Sequence, residues 1–114
     1  MNGAPSLAIS SDVLYGIAQL ALDKVEGVRA MQSPNRMGEI LSGKRARGIS
    51  IEREGELVYV DLTVSVTYGV EIPKAAAAAQ KAVRDAVVAM TGLSVASVNV
   101  TVETITMPES EQGG

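Results

Sequence analysis

Residues 58–67 alternate strictly between apolar and polar side chains. The apolar side chains are Val58, Val60, Leu62, Val64 and Val66, and the polar ones are Tyr59, Asp61, Thr63, Ser65 and Thr67. Successive side chains of a β-strand point to opposite faces of its sheet. The alternation therefore predicts a long strand with one face buried and the other facing water.

The segments on either side of this strand predict two helices that cover its apolar face. Residues 10–12 form a helix cap, and the helix that follows carries apolar residues at helical spacing until Gly27. Pro73 stands where a first helical residue is favoured, and a second helix runs from there to about Met90. Helices on one face of a sheet form a two-layer sandwich, which is the natural architecture here.

Further strands are predicted around the alternating one. They cover residues 6–10, residues 28–31, the segment from Ile49 to the tight turn at 54–56, and a last strand with Val98, Val100 and Val102 turned inward. The predicted fold class is α+β, with two helices packed on one face of a mostly antiparallel sheet of four or five strands, in the order β-α-β-β-β-α-β.

The length of 114 residues fits one domain. We expect a flexible leader over residues 1–5, a single α/β domain over 6–106 and a disordered acidic tail over 107–114.

Histidine and cysteine are both absent, which excludes the catalytic mechanisms that need an imidazole or a thiolate group. The usual general base near neutral pH and the commonest zinc ligand are missing, as are disulfides and thiolates. The net charge of −3 is not typical of a nucleic-acid binder, and the sequence predicts neither a signal peptide nor a membrane-spanning segment. We therefore expect a non-enzymatic, cytoplasmic protein without a metal or another cofactor.

Residues 29–47 form a basic stretch in which Glu39 is the sole acid. Besides Arg29, it contains a candidate anion patch for RNA, anionic lipid or an acidic partner: Arg36, Lys44, Arg45 and Arg47. Solvated loops are also commonly basic without any such role. Residues 38–45 match the start of a phosphate-binding loop, but an arginine stands at the magnesium position and no helix follows, which argues against nucleotide hydrolysis.

The second helix offers a candidate interaction face. On a helical wheel, the side chains expected to cover the sheet are Ala76, Ala79, Val83, Ala86, Val87 and Met90. A shoulder between this face and the charged face consists of Ala75, Ala78, Ala82 and Ala89. Small side chains let another backbone approach closely, so the shoulder is a possible self-association or partner face. Alanine is also the best helix former, and the same residues could simply fill idle surface.

Several short motifs, taken in order, resemble a known protein family. They are Val25-Glu26-Gly27-Val28, Val60-Asp61-Leu62, Tyr68-Gly69 with Ile72-Pro73, Thr91-Gly92-Leu93 and Val98-Asn99-Val100. Their order and spacing over residues 6–106 resemble the alkaline-shock, or general-stress, proteins of Gram-positive and related bacteria, also called envelope stress response proteins and formerly a domain of unknown function. The resemblance implies a cytoplasmic protein of cell-envelope homeostasis that self-associates and is tethered by a separate membrane-anchored protein, with no catalytic residue and no cofactor.

Three functions follow from these observations. The leading one is a scaffold or interaction protein, a homo-oligomer that binds a membrane-anchored partner. The second is a small RNA- or polyanion-binding domain that uses the anion patch, although the few aromatic residues disfavour nucleic acid. The third is a small carboxylate enzyme, which requires Asp61 and Glu103 to be neighbours in a pocket.

Overall fold

The alternating segment forms the central strand of the sheet. The structure, a computed structural model, describes residues 8–31 and 48–107. In these residues the elements are α1 (Ser11–Asp23), β1 (Val28–Ala30), β2 (Ile49–Glu54), β3 (Leu57–Thr67), α2 (Ile72–Thr91) and β4 (Ser94–Thr106). The predicted fold class is confirmed, because two helices pack on a four-stranded, mostly antiparallel sheet.

Strand β3 is flanked on both sides. On one side β1 and β2 follow each other along it, both antiparallel, with Val28 aligned with Val66 and Ile49 aligned with Leu62. On the other side β4 runs parallel to β3. A parallel pair needs a long crossover connection, and α2 provides it.

Gly48 closes the junction where β1 ends and β2 begins. Its N–H donates to the Met31 carbonyl at 3.0 Å, and its own carbonyl accepts from the Thr63 N–H at 2.7 Å. A Cβ at this position would lie 2.5 Å from the Met31 nitrogen and closer still to the Thr63 carbonyl oxygen. Because the backbones of Met31 and Thr63 both approach Gly48 closely, only glycine leaves room for them at this position.

The core lies between the helices and the apolar face of β3. All five apolar positions predicted on β3 are at most 1% exposed. α1 begins at the predicted cap, where the Ser10 hydroxyl accepts from the Val13 N–H at 3.3 Å. α2 ends at Gly92, whose φ of 77° is the left-handed conformation that commonly terminates a helix. Local backbone chemistry at Ser10 and Gly92 therefore fixes the start of α1 and the end of α2.

The predicted first strand falls on residues 6–10, of which residues 8–10 are described and belong to no strand. They are nevertheless held against the sheet, because the Ile9 carbonyl accepts a hydrogen bond from the Arg53 guanidinium at 3.0 Å. The expected leader, and the expected tail beyond Met107, lie outside the described residues. Neither described helix has the length and apolar character needed to cross a membrane.

Candidate protein-interaction site

A groove of about 420 Å³ opens between α1 and α2. The two helices contact each other, because both must cover the same face of the sheet. The groove is lined by Ile17, Leu20, Ala21 and Lys24 of α1 and by Ala82, Asp85, Ala86 and Met90 of α2. We call this surface the helix groove.

Residues that line the helix groove recur at the spacing of a single helix face. On α1 they stand at i, i+3, i+4 and i+7, counted from Ile17, and on α2 the first three follow the same rule from Ala82. Alanines on both helices keep the floor of the groove low. The walls of the groove are therefore one face of α1 and one face of α2.

Large apolar side chains stand exposed at the groove. Leu20 is 66% exposed and Met90 is 70% exposed. Apolar area left in water costs roughly 25 cal/mol for each Å², so covering these side chains is favourable. The charged members, Lys24 and Asp85, carry opposite signs, and Asp85 is paired with Lys81 at 2.8 Å. The groove thus combines an apolar floor with a mixed-charge rim.

The alanine shoulder predicted on α2 does not form one exposed face. Ala75 is 5% exposed and belongs to the core, which contradicts its predicted place in an interaction face. Ala82 is half-buried and lines the helix groove, whereas Ala78 and Ala89 are exposed. The buried row on α2 consists of Ala75, Ala79, Val83 and Val87.

Met90 was expected to cover the sheet and instead stands at the helix groove. Residues four apart on a helix drift by about 40° around its axis at each step. The buried row of α2 is spaced in this way, so it winds around the helix along the twisted sheet beneath it. A helical wheel averages this drift away, which explains the errors at both ends of the helix.

The carboxylates considered for catalysis are not neighbours. Asp61 aligns with Asn99 of β4, whose side-chain amide donates to the Asp61 carboxylate at 3.0 Å. Glu103 lies four residues further along β4, and both carboxylates are exposed. No group of acidic side chains that could hold a metal ion occurs within residues 8–31 and 48–107.

A second cavity, of about 510 Å³, lies beside the turn between α1 and β1. Its walls are mainly polar and include Asp23, Glu26, Arg29, Ser65 and Thr67. Arg29 belongs to the predicted basic stretch, and its backbone aligns with Ser65 on the solvent face of the sheet. Charges of both signs line this cavity, so it selects no single class of ligand. The four residues of the anion patch lie outside the described residues.

A protein-family profile matches almost the whole chain. The profile of the Asp23 family, described as having a cell envelope-related function, matches residues 2–107. The chain belongs to this family. The resemblance seen in the short sequence motifs is thereby confirmed.

Proteins of Bacillus subtilis and Streptococcus pyogenes resemble the chain over most of its length. The uncharacterized protein YqhY of Bacillus subtilis (strain 168) is 32% identical over 98 residues, which cover 81% of this chain and 70% of YqhY. The uncharacterized protein YloU of the same strain is 33% identical over 100 residues, covering 83% of each chain. Spy1535 of Streptococcus pyogenes serotype M6 is 30% identical over 100 residues.

Solved structures share the fold of this chain. A domain described as MamM-CTD 215-293 superposes with a TM-score of 0.53 at 17% identity, over 83% of this chain and 99% of that one. A variant of the same domain, MamM CTD M250L, gives a TM-score of 0.52 at 18% identity. At these identities the likeness concerns the fold alone.

The helix groove was missed by sequence reasoning. Leu20 was not singled out as part of any face of α1, and Met90 was assigned to the buried face of α2. The available signal was a large apolar side chain on the flank of each helix. These side chains identify a site only when the position of one helix relative to the other is known.

Proposed function

We propose that the chain is a non-enzymatic interaction protein of the cytoplasm, which self-associates and binds a membrane-anchored partner at the cell envelope. The family's cell envelope-related function supports the setting of this proposal. The absence of histidine and cysteine from the sequence supports a role without catalysis.

The helix groove is the observation that carries the proposal. Its occupant is an amphipathic helix of the membrane-anchored partner, with an apolar face that covers Leu20 and Met90. Such a helix presents side chains at i, i+3, i+4 and i+7, and the groove walls repeat at the same interval. Lys24 and Asp85 at the rim would orient the bound helix through charges of opposite sign.

Site-specific photo-crosslinking in the cells that make the protein tests this assignment. A photoreactive amino acid replaces Leu20 in one variant and Val88 in another. Val88 is a matched control, because it is 44% exposed on α2 and does not line the groove. We expect the Leu20 variant to give an adduct with an integral membrane protein and the Val88 variant to give none.

Membrane fractionation gives a second readout. Leu20→Glu should lower the fraction of the chain that sediments with membranes, whereas Val88→Glu should leave it unchanged. Both side chains are exposed, so neither substitution buries a charge in the core. Equal membrane fractions for wild type and Leu20→Glu, together with identical adducts from both photoreactive positions, would refute the groove as the partner site.

A further inference from the structure

Strand β4 has an edge that faces no other strand within the part of the chain that the structure describes. This edge follows from the hydrogen bonds of β3. The N–H and C=O of Thr63 both bond toward β1 and β2, through Gly48 and Met31. Backbone groups alternate in direction along a strand, so the even-numbered residues of β3 bond to β4.

The same alternation fixes which groups of β4 point outward. Val60 aligns with Val98, and Leu62 aligns with Val100. In a parallel pair, a residue that bonds across does so to the two residues that flank its aligned partner. Asn99 and Thr101 therefore bond to β3, whereas Val98, Val100 and Val102 turn their N–H and C=O groups to the open edge. Gln80 agrees with this assignment, because its side chain donates to the Val98 carbonyl at 3.0 Å.

The open edge lacks most of the devices that prevent edge pairing. Exposed edges are commonly protected by proline, by lysine or by very short strands. β4 spans 13 residues, Ser94–Thr106, without proline, glycine or lysine, and Glu103 is its sole ionisable residue. Register shifts occur between Val58 and Tyr59 and between Val64 and Ser65 of β3. On β4 they bracket residues 97–102, which remain regular.

We propose that β4 pairs with β4 of a second copy of this chain, antiparallel and about a two-fold axis at Val100. This proposal rests on the self-association in the proposed function and assigns a surface to it. Val100 then faces its own copy, and Val98 faces Val102 of the second chain. Each of these pairs consists of outward-pointing residues, so each exchanges two backbone hydrogen bonds. The Val98 carbonyl, which already accepts from Gln80, takes the bond from the second chain on its other lone pair. A register centred on Asn99 would align fewer pairs of outward-pointing residues within the regular segment 97–102.

Side chains on both faces of the joined sheet fit this register. On the helix side, valines meet valines, and Val100 and Val102 are only partly buried before pairing. On the solvent side, Asn99 meets Thr101, so no like charges face each other. Glu103 lies outside the hydrogen-bonded window and falls opposite Ser97. The second copy therefore matches the edge in hydrogen bonding, apolar contact and charge.

Helix α2 extends the contact beyond the strands. Gln80 reaches the outward carbonyl of Val98, so α2 lies over the edge strand itself. α2 runs opposite to β4, and the two residues from Val98 to Val100 correspond to about four residues of helix, at rises of about 3.3 and 1.5 Å. The axis therefore passes near Ala76, whose small side chain lets the two copies of α2 approach. Two strands and two helices then form the interface.

Proline scanning of β4 tests the pairing through the direction of each N–H. Val100→Pro removes an N–H that the single chain does not use, whereas Thr101→Pro removes one that bonds to β3. Sedimentation velocity over a range of concentrations should show dimers for the wild type and a folded monomer for Val100→Pro. Thr101→Pro should lose the circular dichroism of the folded chain. Dimers of unchanged affinity in Val100→Pro would overturn the assignment.

Cysteine pairing tests the register independently, also in the event that Val100→Pro does not fold. The chain has no cysteine, so an introduced thiol is unique. A mixture of the Asn99→Cys and Thr101→Cys chains should form a disulfide between the two different chains under mild oxidation. Asn99→Cys alone should remain uncrosslinked, since that position faces its own copy only in the other register. Crosslinking of Asn99→Cys alone, or none in the mixture, would overturn the register.

The two proposals fail in different ways. A wild-type chain that self-associates while Val100→Pro does so equally well removes the β4 surface and leaves the proposed function intact. A wild-type chain that stays monomeric at every concentration removes both the β4 pairing and the self-association. If the photoreactive Leu20 variant forms no crosslink with a membrane protein, only the helix groove is removed as the partner site.

Discussion

Gly48→Ala should destabilise the fold far more than an exposed glycine-to-alanine change. The added Cβ would lie 2.5 Å from the Met31 nitrogen and even closer to the Thr63 carbonyl oxygen. Both are backbone atoms held in the sheet, so neither can move as the end of a flexible side chain would. Forcing an extra carbon into a packed site costs about 1–3 kcal/mol.

The displacement also weakens the hydrogen bonds that join β1 and β2 to β3. These run from Met31 N–H to Thr63 at 3.0 Å, from Gly48 N–H to Met31 at 3.0 Å and from Thr63 N–H to Gly48 at 2.7 Å. Each bond lost costs about 1 kcal/mol net. With one or two of these three bonds lost in addition to the steric cost, we expect Gly48→Ala to lower the free energy of unfolding by about 2–5 kcal/mol in total.

Urea denaturation followed by far-ultraviolet circular dichroism measures this change, with an unchanged m-value as the sign that the unfolding reaction is the same. Gly16→Ala is the matched control, because a Cβ at Gly16 meets no heavy atom within 4 Å. Gly16 lies inside α1, where alanine is favoured over glycine by about 0.5–1 kcal/mol, so this variant should gain stability. A Gly48→Ala variant within about 0.5 kcal/mol of wild type would refute the steric reasoning.

Three further outcomes can be measured with the same protein. Val83→Ala removes a side chain that is 0% exposed between α2 and the sheet, and should cost about 2 kcal/mol in the same urea assay; no measurable loss would contradict the described core. Gly92→Ala places a Cβ at a φ of 77°, and should lower stability by about 1 kcal/mol, which differential scanning calorimetry would show as a lower Tm. Fluorescence anisotropy with RNA at low ionic strength should show no binding. Affinity that falls steeply with salt, and is lost on alanine substitution of the anion patch, would instead favour the polyanion-binding alternative.

The sequence predicts those parts of the fold that depend on local pattern. The alternation in β3 has a period that belongs to strands, and its buried face was assigned correctly. Ser10 and Gly92 mark helix ends through backbone chemistry that acts within a few residues. The tight turn at Gly55, whose φ is 61°, follows from the same kind of rule.

Features that depend on the position of one element against another were not predictable in this way. The direction of β4 depends on where α2 returns the chain. The helix groove depends on the distance between α1 and α2, which no single-helix pattern contains. Ala75 and Met90 were misassigned for the related reason that the buried row of α2 follows the sheet below it rather than a straight line along the helix.

The two proposed surfaces lie on different parts of the molecule, so one chain can use both at once. α1 packs over β1 and β2, on one side of β3, whereas α2 contacts β4 on the other. The helix groove runs between the helices, and the open edge lies beyond α2. Under the two proposals, a dimer formed through β4 would carry two grooves and could bind two partner helices.

If those partners are anchored in one membrane, the second binding event occurs at the high effective concentration set by the first. Weak affinity at each groove is then sufficient to hold the dimer at the envelope. Loss of the β4 pairing should consequently reduce membrane association even though the groove is untouched. Val100→Pro should lower the membrane-bound fraction, and Leu20→Glu should lower it while leaving the dimer intact.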